Sequence, residues 1–288
     1  MDAELVRRIA FAAIAIPLAL LIVWYGGLPL AALLAAASAL GTAELFGLAE
    51  RRGVRPARVL GAASAAAIAP LAYLALTQPA LRAAADRVGL LLAALWLVAV
   101  LTWVLAARTP SDRPLEAAAV TLLGVAYTGA LPAFVVAIRH GQLPVRSWAG
   151  AWLVFYPLVV TWVCDSAAMF GGRTFGGPKL APTVSPGKTR SGTVTGIVGA
   201  LLVAPLFAGL VFPRVGVTLG FWPALAIAGV LSIVGQVGDL VESLFKREAG
   251  VKDSSHLIPG HGGVLDRLDS LYFVVPVAAA MYRAFGVI

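Results

Sequence analysis

Apolar residues along the chain gather into nine runs separated by short polar segments. They lie near 9–25, 28–48, 59–76, 88–106, 117–138, 148–170, 193–212, 221–245 and 270–285. A helix needs roughly 20 apolar residues to cross a bilayer, so the pattern predicts an all-α integral membrane protein of about nine transmembrane helices. Arg7 and Arg8 before the first run resemble the start of a signal peptide. Trp24, Tyr25, Gly26 and Gly27 stand where a small-residue cleavage site would lie, so the run reads as a retained helix. No repeat or long polar linker interrupts the series, which points to a single polytopic domain over residues 1–288.

Composition agrees with the pattern. Hydrophobic residues make up 60% of the chain and charged residues 12%, about half of the ~25% usual in soluble domains. Lone Cys164 falls inside the sixth run and reads as packing. The net charge of +8 would suggest nucleic acid in a soluble protein. In this one it reflects topology, because Lys and Arg gather on the side that carries the N-terminus, which is expected to be cytoplasmic.

Two long polar connections fall on that same side. The first, residues 171–192, is rich in Gly and Pro and is expected to lack regular structure. It carries Arg173, Lys179, Lys188 and Arg190 without one acid. Such a loop suits a polyanion, and equally a positive-inside loop touching headgroups. Its "PTVSPGKT" ends like a phosphate-binding loop, but Pro182 replaces the first glycine and no strand leads in.

The eighth run ends with Asp239, Glu242, Ser243 and Lys246 at i, i+3, i+4 and i+7, one stripe of a helix. Each such charge costs about 2.5–3.5 kcal/mol against lipid, so the stripe is expected to face protein or a wet cavity. Asp266 and Asp269 lead the ninth run. Together with Asp239 they have the hard oxygens for Mg²⁺, while helix N-capping is the structural alternative. Between these runs "LIPGHGG" offers Gly262 and Gly263 for close backbone approach and His261 as a phosphate donor. Neither His261 nor His256 has the spacing of a zinc site. Asp165 sits just before the basic loop, where it can position Lys188, bind nucleotide or cap a helix. Glu44 is expected to pair with an arginine of the Arg51–Arg58 cluster.

The 27 residues from Ser243 to Asp269 carry Ser243, Lys246, Arg247, Lys252, Asp253, the glycine-rich segment, Asp266, Arg267 and Asp269 at fixed spacing. This pattern resembles the signature of the phosphatidate cytidylyltransferases, or CDP-diacylglycerol synthases. The segments "DSAAMFGGRTFGGPKLAPTVSPGKT" and "GDLVESLFKREAGVKDS" look like the same family. The resemblance begins near Asp165, dividing the domain into N-terminal spans (1–147) and a catalytic half (148–288). Arg190 and Ser191 depart from the family's usual aromatic and Glu or Gln.

The resemblance implies transfer of a cytidylyl group from CTP to phosphatidic acid in the inner cell membrane, at a polar cavity facing the cytoplasm. Under it, Lys246, Arg247, Lys252, Asp253, His261 and Arg267 act on the reacting phosphates. Asp165, Ser185, Lys188, Thr189, Ser243, Gly262 and Gly263 bind substrate, and Asp239, Asp266 and Asp269 hold Mg²⁺, with one or two cations open. Membrane lipid is a partner, nucleic acid is not, and a homodimer is compatible with the reading. Alternatives are a CTP-dependent enzyme acting on another lipid phosphate or a polyprenol, and an ion-coupled transporter, which leaves the glycine-rich loop unexplained. The three-residue spacing of "DRLD" does not fit the CDP-alcohol phosphotransferases.

Overall fold

A computed structural model describes the backbone of residues 3–288 apart from 259 and 261, and the side chains from residue 13 onward. The candidate His261 therefore lies outside the described residues. Among the described residues nine long helices follow in order: α1 (Ala3–Tyr25), α2 (Gly27–Glu50), α3 (Arg58–Thr77), α4 (Pro79–Ala107), α5 (Pro114–His140), α6 (Trp148–Phe175), α7 (Arg190–Val211), α8 (Phe221–Glu248) and α9 (Leu265–Ala284). Seven of them, α2 to α8, are long and apolar enough to cross a membrane among the described residues. The described apolar part of α1 is shorter, Ala13–Tyr25, and the first five residues of α9 include Asp266, Arg267 and Asp269. The chain is a multi-pass membrane protein.

Two expectations about boundaries are corrected. Helix α4 begins at Pro79, nine residues before the apolar run: Pro79 starts the helix, and Arg82, Asp86 and Arg87 continue it as an exposed turn. The basic connection is also more regular than expected. Its first residues, Gly171–Phe175, extend α6. Then β1 (Lys179–Ala181) and β2 (Ser185–Thr189) pair antiparallel, with Lys179 opposite Thr189 and Ala181 opposite Ser185. Thr189 ends this hairpin as the N-cap of α7, accepting from Gly192 N at 3.1 Å.

The main core gathers Tyr156, Phe207, Ile227, Leu231 and Tyr282 from α6, α7, α8 and α9, with Phe212 just beyond α7. Buried tyrosines donate to carbonyls on neighbouring helices, Tyr156 to Ala224 O at 2.6 Å and Tyr282 to Leu153 O at 2.9 Å. Arg139 at the end of α5 is fully buried and donates to Val23 O and Trp24 O, capping the carbonyl end of α1. On the outer side, Leu90 and Leu105 of α4 are more than four-fifths exposed, as a lipid-facing helix requires.

Two close helix crossings set up the polar region. Helix α7 presents Gly192, Gly196 and Gly199 to Cys164, Ala167 and Ala168 of α6; a Cβ on Gly199 would lie 2.6 Å from Ala167 Cβ. Small residues let membrane helices approach this closely. Likewise a Cβ on Gly238 would stand 2.8 Å from Asp269 O, so α8 and α9 touch where their acids lie. We expect Gly199→Leu to destabilise the protein strongly by separating α6 from α7. Gly209→Leu on the same helix, where nothing lies within 4 Å, should shift the thermal midpoint little. Equal loss in the two variants would refute the crossing.

Candidate functional site

The stripe on α8 turns inward, as its charges require. Glu242 is fully buried, and Ser243 and Lys246 nearly so. Lys246 Nζ donates to Glu242 Oε2 at 2.8 Å and to Asp266 Oδ1 at 2.6 Å. One ammonium thereby joins α8 to α9. Its donors are turned to these carboxylates in the protein interior.

Asp266 is equally committed. Its Oδ2 accepts from Gly263 N at 2.8 Å, Ser254 N at 2.9 Å and Ser254 Oγ at 2.7 Å. With Oδ1 on Lys246, the carboxylate ties the glycine-rich loop to the head of α9. Expected with Asp239 and Asp269 as a metal ligand, Asp266 here has protein donors on both oxygens. Gly262 has a φ of 81°, and a Cβ there would lie 2.7 Å from Asp266 Oδ2. A Cβ on Gly263 would strike Ser254 and Glu44. The space these glycines leave is lined by the carboxylates of Asp266 and Glu44.

Glu44, on α2 and some 220 residues away in sequence, completes this cluster. It accepts from Val264 N at 3.1 Å and Leu265 N at 2.7 Å, free amides at the start of α9. Ser255 Oγ donates to it at 2.7 Å, and Ser254 Oγ lies 3.1 Å from its Oε2. Ser254 thus shares one hydroxyl proton between Glu44 and Asp266. Glu44 does not pair with the Arg51–Arg58 cluster as expected; Glu50 does, with Arg58 Nε at 3.3 Å. A glutamate in an apolar run was the one available sign of this role.

A second charged group is more open. Lys188 Nζ from β2 lies 2.6 Å from Asp239 Oδ2, an ion pair without hydrogen-bond angles. Ser243 Oγ donates to Asp239 Oδ1 at 3.2 Å and so orients it. Asp165 and Asp269 lie within Coulombic reach of Asp239 and Lys188, and Asp165 is exposed. Three carboxylates from α6, α8 and α9 therefore surround a region where a lysine ammonium now supplies the positive charge. Among the described residues no group of three acids, histidines or cysteines already closes on a metal position. The donors are nonetheless of the hard oxygen type that suits Mg²⁺, and the ammonium shows that a cation is accommodated.

The remaining candidates have other surroundings. Arg247 donates to Val184 O at 3.2 Å and Val251 O at 2.8 Å, tying the hairpin turn to the end of α8. Lys252, Asp253 and Arg267 are exposed, and Ser185 lies half-buried in β2. Thr189 is spent on its cap, and Ser191 Oγ donates to Gly176 O.

The whole arrangement can be set beside known proteins. A family model described as "Cytidylyltransferase family" matches residues 6–285. A phosphatidate cytidylyltransferase of Haemophilus influenzae is 47% identical over 138 residues, 46% of each chain. One from Brucella suis is 43% identical over 169 residues, 57% of this chain and 56% of the relative. One from Staphylococcus haemolyticus is 42% identical over 160 residues, 56% and 57% of the two chains. The matches thus span about half the length of these relatives.

The geometry makes Glu44 a positioning residue for the glycine-rich loop. Glu44→Ala is expected to raise amide hydrogen exchange at Val264 and Leu265 at least about tenfold, from the loss of charge-assisted hydrogen bonds worth roughly 1.5–3 kcal/mol each. Glu44→Gln should fall between. Unchanged protection in the alanine variant would show that the loop is held by Asp266 alone.

Proposed function

The chain belongs to the cytidylyltransferase family, and from that premise we propose that it transfers the cytidylyl group of CTP to phosphatidic acid. The products are CDP-diacylglycerol and pyrophosphate. The observation that carries the reading is the Lys188–Asp239 pair beside Asp165 and Asp269, a polyanion-type hairpin facing carboxylates between membrane helices.

A phosphatidate oxygen attacks the α-phosphorus of CTP, forming a new P–O bond while the bond to the β-phosphate oxygen breaks. The phosphate monoester carries roughly −1.5 to −2 charge at neutral pH, so the chemistry requires no side-chain nucleophile. The difficulty is bringing two polyanions together and stabilising the leaving pyrophosphate. Asp239 and Asp269, with Asp165, would hold Mg²⁺; when bound it neutralises phosphate charge. Lys188 is assigned to the triphosphate, being the cation that can leave a partly open pair. Lys246 acts from within by fixing Asp266 and α9.

The site faces the cytoplasm of an inner-membrane protein in this reading, since CTP is a soluble nucleotide. Thr183→Cys in the hairpin turn and Leu257→Cys before the glycine-rich segment, each in a chain lacking Cys164, should be labelled from the cytoplasmic side only. Labelling from opposite sides would contradict a shared site.

Purified protein given α-³²P-labelled CTP should move label into lipid with phosphatidic acid and not with diacylglycerol. Preferential labelling of a polyprenyl phosphate would replace the lipid assignment. Asp239→Asn should lower turnover by at least about a hundredfold, on the scale of a lost electrostatic contact to the transition state. Lys188→Ala should raise the KM for CTP with a smaller loss in kcat. If it raised the KM for phosphatidate alone, the hairpin would be a lipid clamp.

A further inference from the structure

A second polar cavity, of about 780 Å³, lies apart from this site. It is walled by the α2–α3 and α4–α5 connections, and Arg55, Arg58, Arg108, Trp103, Asp112 and Val59 line it. It opens at the membrane boundary that carries the glycine-rich loop, because Glu44 near the end of α2 holds that loop. The function proposed above makes no use of it.

Its cations differ in how they are held. Arg108 donates from Nε and Nη2 to Arg55 O at 3.1 and 2.9 Å, and from Nη1 to Ala107 O at 2.8 Å. Its guanidinium lies 4.6 Å from the centre of the Trp103 ring. Three of its five donors are thus spent on fixing it, and two remain. Arg55 and Arg58 are more than half exposed and only loosely paired, Arg55 to Asp112 at 3.9 Å and Arg58 to Glu50 at 3.3 Å. Exposed pairs of this kind are weak, so both guanidiniums can turn to a stronger anion.

The apolar surroundings decide between a soluble anion and a lipid. Val59 is 84% exposed at the rim, and Leu105 and Leu101 on the α4 surface are exposed as well. An anion seated among the arginines would therefore carry its hydrocarbon against lipid-facing helix. Tryptophan at this level is a membrane-interface residue. We infer that this cavity binds the phosphate headgroup of an anionic membrane phospholipid, with Arg55 and Arg58 contacting the phosphate and Arg108 a fixed charge behind them.

Native mass spectrometry of the full-length protein, titrated with phosphatidylglycerol or phosphatidylcholine, tests this. Wild type should prefer phosphatidylglycerol, and Arg55→Gln/Arg58→Gln should bind it about tenfold or more weakly, since each arginine near an anionic lipid contributes several-fold. Arg82→Gln/Arg87→Gln removes the same charge from the opposite end of α4 and should bind as wild type. Lys188→Ala should also bind as wild type, so failure of the catalytic reading would leave this result intact. Equal weakening by the two double variants would overturn the site, leaving only charges that set topology. So would equal affinity for the two lipids. Binding of glycerol 3-phosphate as tight as phosphatidylglycerol would overturn the lipid assignment.

Discussion

Lys246 is an ammonium taken out of water at the edge of a membrane, and the structure around it follows from that constraint. A buried charge persists only where opposite charge and hydrogen bonds replace the lost hydration. Glu242 supplies one carboxylate from the same helix and Asp266 another from α9. Asp266 then needs donors for its second oxygen, and Ser254 and Gly263 provide them. Those donors lie on the loop between α8 and α9, so the loop is drawn back over the helix ends. Glu44 satisfies the amides at the start of α9 and shares Ser254 with Asp266. The electrostatic need of one lysine thus propagates through three helices and a loop.

This chain of dependence joins the two halves of the molecule. Glu44 lies in the N-terminal spans, whereas its partners belong to the segment richest in charged residues. The N-terminal helices are therefore part of the scaffold that fixes the glycine-rich loop, in addition to anchoring the chain in lipid. Their packing supports that use: Phe46 is fully buried, and Thr42 Oγ1 meets Thr128 Oγ1 of α5 at 2.6 Å. A glutamate held on such a helix cannot drift from the amides it caps.

What could be read from the sequence depended on how local each signal was. The inward stripe of Asp239, Glu242, Ser243 and Lys246 was legible because helical spacing and the cost of charge in lipid leave it one acceptable direction. The helices were legible for the same reason, and Cys164 was rightly read as packing. The partners of Glu44 were not, because nothing within a turn of it hints at an amide more than 200 residues away. The N-capping alternative for Asp266 was visible, yet its tether to the loop needed the positions of Ser254 and Gly263. The hairpin was hidden because Gly and Pro mark turns without saying whether the flanking residues pair.

The two lysines show how one fold can use the same side chain for opposite purposes. Lys246 is closed in, with its side chain 10% exposed and its carboxylate partners at 0% and 3%. Lys188 and Asp239 stand 25% and 30% exposed, and their contact lacks hydrogen-bond angles. Breaking the first arrangement would strand charges in the interior, which costs about 3–5 kcal/mol. The second lies nearer the surface, although Lys188 Nζ itself is covered. Under the proposed function Asp239, with Asp165 and Asp269, would hold a cation, and Lys188 would then face a phosphate. Closed electrostatics around Lys246 hold the glycine-rich loop in shape, and the looser pair beside them leaves Asp239 partly exposed.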